Sequence, residues 1–133
     1  MQRQEIAAAI AAAHSVACVV VGSAALRMQG VDITARDLDL VVAPAQQNLD
    51  RLTGMLANWG VLRRPSDRAL RELDIITLES SFGPIDLLLR TGRERYAALR
   101  SSAVTKTVAD VRITLASVAD CWSLRQEFGK GSA

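Results

Sequence analysis

The chain is poor in the residues that build sulfur or imidazole metal sites: its 133 residues include two cysteines and one histidine. With Cys18 and Cys121 far apart and no Cys-x-x-Cys spacing, a zinc centre is excluded as the organising feature. Both cysteines lie in apolar sequence, so they read as buried free thiols rather than a disulfide. No apolar run approaches the roughly 18 residues that would span a bilayer. The opening Met-Gln-Arg-Gln-Glu does not suit a secretory signal, so the expectation is a cytoplasmic protein with no membrane partner. Excess charge of one sign is also missing, the formal net charge being +2, which by itself gives no footprint for nucleic acid. Gly-Lys-Ser/Thr and Gly-x-Gly-x-x-Gly are absent, which removes the P-loop and dinucleotide fingerprints.

Half of the residues are hydrophobic and 23% are charged, a globular composition with enough apolar material for one core. A single domain spanning 1–133 is expected, without repeats or linkers. Residues 3 to 13 are alanine-rich and helical by propensity. Val16 to Val21 reads as a buried strand, Ala24 to Gln29 as a short helix closed by Gly30, and Asp37 to Val42 as a second strand. Leu49, Leu52, Leu56 and Trp59 share one face of a helix over 45 to 59, stopped by Gly60. Residues 61 to 73, with Arg63, Arg64, Arg68 and Arg71, carry no clear period. Two strands, 75 to 80 and 85 to 89, are expected around a turn at Phe82-Gly83-Pro84. A capping box at Thr91 to Glu94 predicts a helix. A hairpin over 104 to 108 and 111 to 115 follows. A last helix opens at Ser117 with Cys121, Leu124 and Phe128 on one face, and the Gly-Lys-Gly-Ser-Ala end should fray. The fold class expected is α+β, a mixed β-sheet of about five strands flanked by helices.

Three acids stand out. In Asp37-Leu38-Asp39-Leu40 the period of a strand puts both carboxylates on one face and both leucines on the other. Two like charges so placed repel each other and lose hydration, costs that a divalent cation offsets; oxygen ligands suit Mg2+ or Mn2+. With 14 acidic residues in the chain, the acid-x-acid pair alone is a weak motif, equally at home on a solvated strand face. Asp86 adds weight, being the one acid in the aliphatic run Pro84-Ile85-Asp86-Leu87-Leu88-Leu89, where a buried carboxylate needs a partner or a metal. Its alternative is an outward position on an edge strand. Asp74 and Glu79 compete from the neighbouring strand, among more polar neighbours. Gly22-Ser23 stands where a buried strand gives way to a helix, a place where backbone N–H groups can meet a phosphate.

Taken in order, Val21-Gly22-Ser23, a spacer from Ala24 to Arg36, Asp37-Leu38-Asp39-Leu40 and the later Asp86 resemble the signature of the DNA polymerase β-like nucleotidyltransferase superfamily. Within it the chain looks most like the small bacterial single-domain members, those related to the AbiEii toxin and the minimal nucleotidyltransferases of toxin–antitoxin pairs. The resemblance covers Val16 to Leu89 and, more loosely, Val111 to Phe128. It implies a nucleotidyltransferase fold in which Asp37, Asp39 and Asp86 are catalytic and hold Mg2+, while Gly22 and Ser23 contact the triphosphate of a nucleoside triphosphate. Arg36 stands where relatives often carry Ser or Thr, and is placed beside the phosphates. Arg125 stands where many have a lysine, keeping the charge but not its shape. The implied reaction transfers a nucleoside monophosphate to a hydroxyl of an RNA, a protein or a small molecule.

Other residues read as structural. His14 lies at a helix-to-strand junction, and Trp59, Trp122 and Phe128 sit at helical spacing with apolar residues, as core does. The arginines from Arg63 to Arg71 fit a solvated basic face as well as a grip on an acidic acceptor. Two alternatives stand beside the enzyme. One is a catalytically silent nucleotide-binding or regulatory module, since 133 residues leave an acceptor-binding surface to a partner chain or to self-association. The other is an arginine-dependent nucleic-acid binder, whose affinity would fall steeply with salt.

Overall fold

A computed structural model describes residues 2–89 and 93–127. Its elements run α1 (Arg3–Ala13), β1 (Cys18–Val21), α2 (Gly22–Met28), β2 (Leu38–Val42), α3 (Gln46–Met55) with a 3-10 turn (Leu56–Trp59), α4 (Asp67–Glu72), β3 (Ile75–Ser80), β4 (Gly83–Leu88), α5 (Arg93–Ser101), β5 (Val104–Val108), β6 (Val111–Leu115) and α6 (Val118–Glu127). The six strands form one sheet in the order β3-β4-β2-β1-β6-β5, where about five were expected. The sheet is mixed: β1 pairs antiparallel with β2 and parallel with β6, and β2 pairs parallel with β4. The capping box at 91–94, the place of Phe128 and the C-terminal Gly-Lys-Gly-Ser-Ala lie outside the described residues.

The period of two sorts the central strands into a core face and a polar row. Leu38 and Leu40 of β2 are registered with Ile85 and Leu87 of β4, and all four are buried. Between them, on the other face, one row crosses the sheet: Val21 opposite Asp39, Asp39 opposite Asp86, and Asp86 opposite Thr77. Registered neighbours point to the same side at a strand spacing of about 4.8 Å. The pattern that buries the leucines therefore also gathers the acids.

Three polar pins fix the helices. Trp59, fully buried, donates its indole N–H to the Ala7 carbonyl at 2.9 Å, tying the 3-10 turn to α1. Gly60 ends that turn with φ +72°, a left-handed conformation in which an added Cβ would collide with Ser81. Asn48 of α3, also buried, donates to the carbonyls of Ala17 and Ala43 at 2.9 Å each and accepts from the Ala17 N–H at 2.6 Å. Glu5 of α1 pairs with Lys106 of β5 at 2.6 Å, and Lys106 also donates to the Met28 carbonyl at 3.1 Å. Burial pushes the Glu5 carboxyl up, but the bonds from Lys106 and the Gln2 N–H outweigh it and hold it below its ordinary range. Sequence periodicity gave no sign of this pair, because each residue sits among unremarkable neighbours and they meet only across the sheet.

Several boundaries moved. The β3–β4 turn falls at Ser81-Phe82, so Gly83 and Pro84 join the strand instead of the turn. Ser80 Oγ makes this tight connection by donating to the Gly83 carbonyl at 2.6 Å and accepting from the Phe82 N–H at 3.0 Å. Helix α2 begins at Gly22 itself. The unreadable arginine-rich stretch contains α4, capped by Ser66, whose Oγ accepts from the Ala69 N–H at 3.0 Å. Both cysteines are free, yet only Cys121 is buried while Cys18 keeps partial exposure.

Candidate active site

Strand β4 is interior, with β3 outside it, so Asp86 does not occupy the outward edge position weighed as its alternative. Its parallel register with β2 sets it beside Asp39. Asp37, just ahead of β2, completes the group: one oxygen from each of Asp37, Asp39 and Asp86 lies within 4.8 Å of the others. Asp37 is exposed and the other two are half-buried. Among the described residues this is the group of acidic, histidine or cysteine side chains close enough to share one cation.

The electrostatics of the group are unfavourable as it stands. Burial, then the Asp86 charge and a hydrogen bond with that carboxyl, and lastly the Asp37 charge, push Asp39 up to about 7. Asp39 Oδ1 is buried with no hydrogen-bond partner among the described residues. A buried acceptor left unpaired is costly, and a divalent cation would satisfy it while neutralising the cluster. An all-oxygen donor set fits a hard cation such as magnesium or manganese rather than zinc. Thr77 Oγ1 donates to Asp86 Oδ1 at 2.6 Å and so orients that carboxylate. Thr77 was missed because a turn at 82–84 would have put other residues opposite Asp86. Of the competing acids, Glu79 is exposed opposite Pro84, and Asp74 lies just ahead of β3.

Gly22 closes the floor of the site. Its φ is +71°, and an added Cβ would stand 2.6 Å from Asp39 Oδ2, so the backbone is pressed against the carboxylate as only glycine permits. Ser23, next along, accepts a 2.9 Å hydrogen bond from Arg125 Nη1 of α6. Helix α6 packs on α2 through Cys121. Burial pushes that thiol up to about 11, against the opposing effect of the Gly22 backbone. Its N-terminus is capped as expected, Ser117 Oγ accepting from the Asp120 N–H at 3.1 Å. Arg36 is exposed in the loop before β2 and makes no hydrogen bond or ion pair with a described residue. Trp122, expected in the core, is 43% exposed, with the Arg125 guanidinium 5.5 Å from the centre of its ring. Its helical spacing matched that of core residues, but it stands on the flank of α6 that it shares with the exposed Ala119 and Gln126. His14 is exposed at the end of α1, its Nδ1 2.9 Å from the Ile10 carbonyl.

No protein-family model matches the chain, and no curated protein matches it by sequence. Among solved structures it is similar to a proposed nucleotidyltransferase from Thermotoga maritima, with a TM-score of 0.58 at 14% identity, over 84% of this chain and 73% of that one. The chain has a nucleotidyltransferase-like fold. A proposed nucleotidyltransferase from H. pylori aligns with a TM-score of 0.46 at 12% identity, over 91% of this chain and 54% of that one. In this nucleotidyltransferase-like fold the acids stand on the half of the sheet built from β2 and β4, next to the start of α2.

Proposed function

We propose that the chain transfers a nucleoside monophosphate from a nucleoside triphosphate to a hydroxyl acceptor, the acceptor oxygen bonding to the α-phosphorus as the bond to the β-phosphate breaks and pyrophosphate leaves. The observation that carries this reading is Asp39 Oδ1, buried and without a hydrogen-bond partner among the described residues, within a cluster of three carboxylates set against a side-chain-free Gly22. Asp37, Asp39 and Asp86 would hold divalent cations, magnesium or manganese. Bound there, the metal supplies charge neutralisation for the attacking and leaving oxygens of an in-line displacement. Gly22 and Ser23 would receive the triphosphate, the glycine by allowing close backbone approach and the serine through its hydroxyl. Arg125, already on Ser23, brings a guanidinium to the same place, where its fork can take two phosphate oxygens. Arg36, free of protein partners among the described residues, can swing onto the outer phosphates. Asp86, half-buried and steadied by Thr77, can accept the acceptor's proton. No covalent protein intermediate is needed, since positioning and charge neutralisation suffice.

The test is transfer of label from an α-labelled nucleoside triphosphate, with magnesium and a lysate of the protein's own host. Transfer by the parent chain that disappears in Asp37→Asn and Asp39→Asn supports the reading. Magnesium-dependent nucleotide binding without transfer would replace it with the silent, partner-dependent module.

A further inference from the structure

We propose that the exposed ring of Trp122 is the platform on which the base of the bound nucleotide stacks, an inference that rests on the nucleotide site described above. The chain's two tryptophans have opposite fates: Trp59 is sealed in the core and Trp122 is 43% exposed. Three other residues of α6 are engaged elsewhere. Cys121 is buried on the α2 side, Asp120 accepts from Ser102 Oγ at 2.6 Å, and Glu127 pairs with Arg95 of α5. Trp122 shares the exposed flank of α6 with Ala119 and Gln126, and the Arg125 guanidinium stands over its ring.

That guanidinium links the ring to the site. It stands 5.5 Å from the ring centre and donates to Ser23 at 2.9 Å, which puts the ring centre within roughly 10 Å of the Ser23 hydroxyl. A nucleotide bridges such a gap between its phosphates and its base. With phosphates at Gly22 and Ser23, Arg125 would be shared between phosphate oxygens and the tryptophan face. The exposed part of the ring offers an apolar, planar surface. Every base has a π-face, so stacking of this kind binds without strong selection among bases, favouring the larger purines.

Inorganic tripolyphosphate separates the base from the phosphates. Magnesium ATP and magnesium tripolyphosphate are titrated into the parent chain, Trp122→Ala and Trp122→Phe by calorimetry, and tryptophan emission is followed alongside. Trp59, being buried, supplies a constant background. The expected result is quenching of Trp122 by ATP and much less by tripolyphosphate. Trp122→Ala should bind ATP about tenfold more weakly and tripolyphosphate unchanged, while Trp122→Phe keeps most of the ATP affinity. Equal losses for both ligands would mean that the ring only positions Arg125, and would overturn the proposal. So would unchanged ATP affinity in Trp122→Ala. If the parent chain binds neither ligand, the nucleotide site itself falls and this inference with it.

Discussion

Asp39 Oδ2 stands 2.6 Å from the point where a Cβ on Gly22 would be. The contact joins the last residue pair of the β1–β2 ladder to the first turn of α2, and it makes the glycine and the carboxylate one structural unit.

Gly22→Ala should be among the most damaging small substitutions in the chain. The new methyl would have to displace a carboxylate oxygen, and alanine at φ +71° adds backbone strain of about 1–3 kcal/mol. Urea denaturation should show a loss of at least that size, together with loss of magnesium binding by calorimetry.

Asp39→Asn should separate stability from function. It removes a charge that burial and two neighbouring carboxylates oppose, so the metal-free protein at pH 8 should melt a few degrees higher than the parent. The same variant should lose divalent-cation binding and nucleotide transfer. A lower melting temperature for the variant would show that the folded protein stabilises the charged carboxylate.

The pH dependence of the metal-free protein follows from the same residue. An acid held at about 7 in the fold and in the ordinary carboxylate range when unfolded binds more protons folded than unfolded between those limits. Its contribution to stability is therefore fully present below the unfolded value and is lost as pH rises towards and through about 7. Adding magnesium should flatten this slope, because cation binding favours the ionised form. Denaturant midpoints from pH 4 to 8, with and without the metal, measure both effects.

Asn48→Leu should cost about 3 kcal/mol, since it strands the Ala17 N–H and the Ala17 and Ala43 carbonyls that Asn48 satisfies. The residue is remote from the acids along the sheet, so magnesium affinity measured well below the melting temperature should be unchanged. A magnesium affinity that fell along with stability would mean that α3 helps to set the geometry of the acids.

Much of the local structure was legible because it depends on near neighbours. The β5–β6 hairpin lies where alternation placed it, over Val104–Val108 and Val111–Leu115. The first helix spans Arg3–Ala13, as its alanines require. The strand period also sorted Leu38 and Leu40 from Asp39, because side-chain direction in a strand is a property of the strand alone. Trp122 shows the limit of that reasoning. Helical spacing reports which residues share a face, and only the arrangement of α2 and α5 decides which face is covered.

The sequence by itself determined the two acids of Asp37-Leu38-Asp39, the glycine and serine at the end of β1, and a lone acid in a later aliphatic strand. It could not determine that Asp86 meets Asp39, that Thr77 steadies Asp86, or that Arg125 reaches Ser23 from 102 residues away. Those contacts follow from strand order, from the register of a parallel pair and from the docking of one helix on another. Each is fixed by burial of apolar surface shared among distant segments, and no stretch of chain encodes that alone.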